Sequence, residues 1–201
     1  LPAFDISFFA SHMRFTLFLL TALGCVIWRL AEGPVGYLRD VSTAVLVALY
    51  VPFLAGFSVL LTVPSDGARR VVTFMAAVVC SDVGGYAAGV FLGRHPMAPT
   101  VSPKKSWEGF AGSLAAGVTA GIAFLVLWFD ATWWQGGLYG LAIVVTATLG
   151  DLGESMIKRD LGIKDMGNIL PGHGGVMDRL DSLLPAAALA YLLLTAFASP
   201  T

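Results

Sequence analysis

The stretch Leu138-Tyr139-Gly140-Leu141-Ala142-Ile143-Val144-Val145-Thr146-Ala147-Thr148-Leu149-Gly150-Asp151-Leu152-Gly153-Glu154-Ser155-Met156 holds no charge for its first 13 residues and then carries two carboxylates within four. A membrane helix needs about 20 mostly apolar residues, and this run supplies them. The apolar pattern is continuous and does not alternate with period two, which argues against a β-barrel strand. On a helix Asp151, Glu154, Ser155 and Lys158 fall at offsets 0, 3, 4 and 7, along one stripe. A carboxylate in a membrane helix costs about 2.5–3.5 kcal/mol on insertion scales, so this stripe is expected to face a wet cavity or a partner. A bundle-stabilising Asp/Glu–Lys pair is the structural alternative, and it does not require so many groups.

The rest of the chain repeats the apolar pattern. Of 201 residues, 57% are hydrophobic and 12% charged, about half the charged share of a soluble domain. Too few charges remain to cover a water-facing surface. Six spans are expected, at Phe15–Ala31, Val41–Val63, Val71–Gly93, Phe110–Phe129, Leu138–Met156 and Leu183–Ala198. The fold class is therefore an all-α polytopic membrane helix bundle, read as one domain over residues 1–201. Phe4, Phe8 and Phe9 suit an interfacial helix or the tail of an earlier span. The chain starts at Leu1 and not at Met, so an upstream part with further spans is expected. Gly85, Gly89 and Gly93, and Gly117 and Gly121, recur at spacing four, which suits close helix packing in lipid. Cys25 and Cys80 sit in apolar runs without metal-ligand spacing and read as small hydrophobes.

Net charge is −1, which predicts no nucleic-acid partner. Position says more. Arg29, Arg39, Arg94, Lys104, Lys105, Lys158, Arg159, Lys164 and Arg179 fall on one side of the expected topology, with only Arg14, Arg69 and Arg70 on the other. The positive-inside bias puts the nine in the cytoplasm. Residues 151–181 hold 10 of the chain's 25 charged residues, with both signs mixed. Topology signalling needs only Lys and Arg, so the carboxylates need another explanation.

Downstream of the stripe, Leu170-Pro171-Gly172-His173-Gly174-Gly175 forms a Gly-rich turn, and successive N–H groups in such a turn can cradle phosphate. Asp178 and Asp181 follow, three apart on one helix face. Carboxylates for Mg²⁺ beside cations for phosphate are the requirements of a nucleoside triphosphate site. His173 alone is more often structural. Asp82 lies within the third span. The loop Val101-Ser102-Pro103-Lys104-Lys105-Ser106-Trp107-Glu108-Gly109 ends in a helix start with Ser106 as N-cap. Its lysines suit either phosphate or lipid headgroups, with Trp107 as an interfacial anchor.

The pattern Ser155-x-x-Lys158-Arg159, four residues, Lys164-Asp165-x-Gly167-x-x-Leu170-Pro171-x-His173-Gly174-Gly175-Val176-x-Asp178-Arg179-Leu180-Asp181 resembles the signature of the phosphatidate cytidylyltransferases, or CDP-diacylglycerol synthases. The Asp82 segment and Ser-Pro-Lys-Lys-Ser-Trp-Glu-Gly are similar too, with Ser106 where the family more often has Thr. The resemblance implies transfer of CMP from CTP to phosphatidic acid, giving CDP-diacylglycerol and pyrophosphate. It implies Mg²⁺ with a second, monovalent cation such as K⁺, a homodimer, and a site open to the cytoplasmic leaflet of the bacterial inner membrane. By similarity Asp151 and Asp178 are the main metal ligands, with Glu154, Asp181 and Asp82 as further carboxylates. The expected catalytic residues are Asp151, Lys158, Arg159, Asp178 and Asp181. Lys104, Lys105, Ser155, Lys158, Arg159, Lys164, His173, Gly174, Gly175 and Arg179 are the expected phosphate-binding set. Three other readings fit less of the sequence. They are a CTP-dependent enzyme acting on another lipid, a transporter with Asp82, Asp151 and Glu154 as a proton relay, and a noncatalytic scaffold.

Overall fold

The computed structural model describes residues 6–163, 166 and 177–198, without the side chains of residues 6–11, 14, 178 and 179. Helix α1 (Ile6–Leu30) is followed by α2 (Tyr37–Ala48), which runs through a π-helical turn (Leu49–Phe53) into α3 (Leu54–Leu61). Next come α4 (Gly67–Leu92), a hairpin of β1 (Pro96–Ala98) and β2 (Ser102–Ser106), α5 (Trp107–Phe129) and α6 (Trp133–Asp160). A single turn, α7 (Met177–Leu180), leads into α8 (Leu183–Phe197).

Four segments are long and apolar enough to cross a membrane: Tyr37–Leu61, Gly67–Leu92, Trp107–Phe129 and Trp133–Asp160. They match the second to fifth expected spans. The first and last correspond to shorter apolar stretches, Phe15–Leu30 and Leu183–Phe197. The latter has 15 residues, about 22 Å of helix against a hydrocarbon core of about 30 Å. The chain is thus an all-α bundle with four helices of spanning length among the described residues. Of the aromatic residues at the start, Phe8 and Phe9 belong to α1, which begins at Ile6, and Phe4 lies outside the described residues. The lysine-bearing loop, expected only as a turn, pairs as an antiparallel hairpin with Pro96 opposite Ser106 and Ala98 opposite Ser102.

Local sequence explains the helix ends. Ser106 caps α5 by accepting from the Gly109 N–H at 3.1 Å, as its position before Trp107 predicts. At the start of α6, Thr132 and Gln135 form a capping box. The second span is not a straight helix. Pro52 has no N–H to give to the preceding turn, and the chain widens there, with Leu54 N–H reaching Leu49 O.

Helix α5 packs between α4 and α6, and α8 packs against α6 and α3. Small residues set these distances. A Cβ on Gly84 would lie 2.5 Å from Ala116 Cβ and 2.7 Å from Gly112 O. One on Gly121 would lie 2.6 Å from Gly136 O. The glycine spacing therefore marks helix crossings, through Gly85 and Gly89 on α4 and Gly117 and Gly121 on α5. Leu61, Phe74, Leu125, Tyr139, Ile143 and Leu194 fill the core between them.

Arg70 is only 5% exposed, although its place in the sequence suggests a loop charge. Its Nε donates to Asp66 Oδ1 at 2.7 Å. Its Nη1 donates to Leu194 O at 3.0 Å and Nη2 to Ala198 O at 3.5 Å. The guanidinium lies 5.9 Å from the centroid of the Phe129 ring. A side chain from α4 thus holds the end of α8, sharing Leu194 O with the Ala198 N–H and reaching the Ala198 carbonyl just beyond the helix.

A methyl group at a crossing point has no room without moving a helix. Gly121→Ala is expected to destabilise the bundle by about 1–3 kcal/mol, read as a lower unfolding midpoint in detergent titrations, whereas Gly24→Ala, in open space, should change it little.

Candidate active site

A cavity of about 450 Å³ opens among α4, the hairpin, α5, α6 and the turn before α8. Asp82, Lys104, Lys105, Asp151 and Asp181 line it, together with Tyr86, Met97 and Phe110. Its volume lies in the range of small-molecule sites.

Helix α6 delivers Asp151 and Glu154 from one stripe, as the offsets predict. The turn after α7 brings Asp181 to meet them. One ligand oxygen from each of Asp151, Glu154 and Asp181 lies within 4.8 Å of the others. Glu154 is fully buried, and Asp181 is 9% exposed. Asp82 is exposed on the cavity wall and does not belong to this group of three.

The cations take different stations. Lys158 Nζ pairs with Glu154 Oε2 at 3.0 Å, one turn along α6. Lys105 reaches from β2 to pair with Asp151 Oδ2. Lys104 lines the cavity beside it. Arg159 turns away from the carboxylates, and its Nε donates to Val101 O at 3.3 Å, which ties the hairpin tip to the end of α6. Ser155, Lys158 and Arg159 are not among the lining residues described. Lys164, His173, Gly174 and Gly175 lie outside the described residues, as do the side chains of Asp178 and Arg179.

The base of the hairpin is fixed as well. The Glu108 carboxylate accepts from the Arg94 and His95 backbone N–H groups at 3.1 and 3.2 Å. It also meets His95 Nδ1 at 2.6 Å. Sequence reading singled out neither Glu108 nor His95 for this role, and it missed Tyr50, whose hydroxyl donates to the carbonyls of Gly150 and Asp181. The only signal for Tyr50 was the proline two residues on, within an otherwise apolar helix.

The chemistry of this donor set suits a hard divalent cation. All three groups offer carboxylate oxygen, the preferred ligand of Mg²⁺. Glu154 Oε1 is buried with no hydrogen-bond partner. With Glu154 and Asp181 both ionised, that oxygen faces no donor. A metal ion would satisfy it, and so would a proton held between the two carboxyls. Asp181 lies outside the spanning helices. Burial, then a hydrogen bond with Glu154, then the Asp151 charge push its carboxyl up to about 8.

The sequence model of the Cytidylyltransferase family matches residues 2–197. The chain belongs to this family. Among curated proteins it is 52% identical over 184 residues to the phosphatidate cytidylyltransferase of Mycobacterium bovis, covering 85% of this chain and 60% of that protein. It is 52% identical over 191 residues to that of Mycobacterium leprae, covering 87% and 61%. Identity to the Brucella melitensis protein of the same name is 42% over 153 residues, covering 74% and 57%. The chain thus spans about three-fifths of the length of the relatives it matches.

Two outcomes follow from the electrostatics. Divalent-metal affinity should rise with pH and level off above about 8, because the ion must displace the proton that Asp181 retains below that point; Mn²⁺ titrations between pH 6 and 9 would read it. Lys105 holds Asp151 as its counter-ion, so Lys105→Gln should bind Mn²⁺ up to about fivefold more tightly, the ~1 kcal/mol ceiling of a partly exposed ion pair.

Proposed function

We propose that residues 1–201 form a single transmembrane catalytic domain of a phosphatidate cytidylyltransferase. It would transfer CMP from CTP to phosphatidic acid in phospholipid biosynthesis. The observation that carries this reading is one cavity, within a helix bundle, whose lining brings together carboxylates, lysines and aromatic residues. Both substrates are polyanions at their reacting ends, and one is a lipid. The names of the similar proteins support the same reaction.

In the reaction, an oxygen of the phosphatidate phosphate bonds to the α-phosphorus of CTP. The bond from that phosphorus to the α,β-bridging oxygen breaks, and pyrophosphate leaves. A phosphomonoester has its second pKa near about 6, so the nucleophile is already ionised at neutral pH and no strong base is required. The difficulty is the approach of one anion to another. Lys104 and Lys105, which both line the cavity, would hold phosphate oxygens. Lys158, Lys164, Arg159 and Arg179 would add positive charge at the mouth, with Ser155 and the His173-Gly174-Gly175 turn as further phosphate contacts. Asp151 and Asp178 would hold Mg²⁺, with Glu154 and Asp181 beside them and Asp82 as a further carboxylate. Mg²⁺, when bound, neutralises phosphate charge and favours in-line displacement. A monovalent cation such as K⁺, a homodimer and the bacterial inner membrane complete the proposal on the strength of the resemblance, and a six-span arrangement on the strength of the apolar runs. The positive-inside bias of the loops supports a cytoplasmic site.

Purified protein of full natural length should convert radiolabelled CTP and phosphatidic acid to CDP-diacylglycerol only when Mg²⁺ is present. Asp178→Asn should lose at least about 10²-fold in turnover while remaining folded in membranes. Near-wild-type turnover in that variant would remove Asp178 from the metal site, and a folded wild type that neither binds CTP nor forms product would overturn the reaction itself.

A further inference from the structure

Tyr50 lies outside the charged segment and outside the lining of the cavity. It sits in the π-helical turn Leu49–Phe53 of the second span. Its hydroxyl donates to Asp181 O at 3.0 Å and to Gly150 O at 3.2 Å. These acceptors are 31 residues apart in sequence, and each belongs to the backbone of a carboxylate-bearing segment. Gly150 O is in the peptide that leads into Asp151, and Asp181 O is in the peptide that leaves Asp181.

The two segments are pressed together at this point. A Cβ on Gly150 would meet Asp181 O and lie 2.9 Å from Pro185 Cγ. Two carbonyl oxygens have no donor to offer one another, so close approach of their peptides needs a third group. The Tyr50 phenol supplies one proton to both. It works against an opposing force whenever Asp181 is ionised, because the carboxyl groups carried by the two segments lie within 4.8 Å of one another. At such a distance two charges repel by about 1 kcal/mol in water and several times that in a less polar setting.

We infer that Tyr50 is a positioning residue: its hydroxyl ties the Gly150–Asp151 peptide to the Asp181 peptide and so sets the spacing of the metal-binding carboxylates. This inference rests on the proposed metal role of that cluster. The π-turn is part of the device. Pro52 interrupts the regular helix two residues beyond Tyr50, and the widened turn presents the phenol inward while α3 continues across the membrane. Phenylalanine keeps the ring and removes only the shared proton. Partners of this kind, which orient metal ligands from behind, typically change metal affinity by about 10–100-fold when removed.

The test is Mn²⁺ binding, followed by electron paramagnetic resonance, to purified wild type, Tyr50→Phe and Asp151→Asn in lipid nanodiscs, with melting temperatures recorded without metal. The expected result is a Kd at least about tenfold weaker in Tyr50→Phe, with metal-free melting shifted by only a few degrees. The Mg²⁺ concentration for half-maximal activity should rise in step. A Tyr50→Phe Kd within twofold of wild type would overturn the tether, including when the melting temperature falls. If Tyr50→Phe does not fold, Gly150→Ala, which forces the same peptides apart from the other side, is expected to weaken Mn²⁺ binding similarly, and unchanged binding there would overturn the inference. A folded wild type that binds no Mn²⁺, or binds it as well as Asp151→Asn does, would overturn the metal role of the cluster first and the tether with it.

Discussion

The convergence of three carboxyl groups, Asp151, Glu154 and Asp181, is the constraint on which the rest of the site depends. Their oxygens converge within 4.8 Å, and Glu154 is wholly withdrawn from solvent. Such a cluster persists only where the surrounding structure forces it together. Close packing along the glycine crossings brings α4, α5 and α6 into register. Pairing of Lys158 with Glu154 and of Lys105 with Asp151 offsets two of the charges. The third carboxyl, Asp181, is left to be balanced by a proton or a metal ion. Polar groups in a lipid-facing bundle are costly unless they serve one another.

The hairpin resolves a second difficulty, that of bringing cations over a cavity formed by helices whose sequences are apolar. The residues between α4 and α5 are too few for a domain but sufficient for two paired strands. Their geometry is held at both ends, by Glu108 at the base and Arg159 at the tip. Lys104 and Lys105 thus project from a braced support. Arg159, expected to meet phosphate directly, has its Nε committed to that support.

Much of this architecture was legible in the sequence, and the reasons are physical. Length and continuous apolarity suffice for Tyr37–Leu61, Gly67–Leu92, Trp107–Phe129 and Trp133–Asp160 because lipid leaves a helix few alternatives. Helical periodicity placed Asp151, Glu154 and Lys158 on one face, where Lys158 pairs with Glu154. What was not legible depends on contacts distant in sequence. Nothing near Tyr50 shows that its hydroxyl meets residues 150 and 181. Arg70 reads as a loop charge until its partners at Leu194 and Ala198 are seen. The hairpin was missed because Pro96–Ala98 and Ser102–Ser106 are too short for alternation to register. Asp82 shares the cavity with the other carboxylates but not their cluster, a distinction that spacing along the chain cannot make.

The clasp that Arg70 forms between α4 and the end of α8 has a mechanical meaning. It joins these helices at the end of the bundle remote from the carboxylates, through hydrogen bonds to backbone, a buried ion pair and an aromatic face. The last turn of α8 is thereby fastened to a neighbouring helix by directional bonds and not by packing alone, so an apolar helix of only 15 residues has its end strapped in place by another segment of the chain.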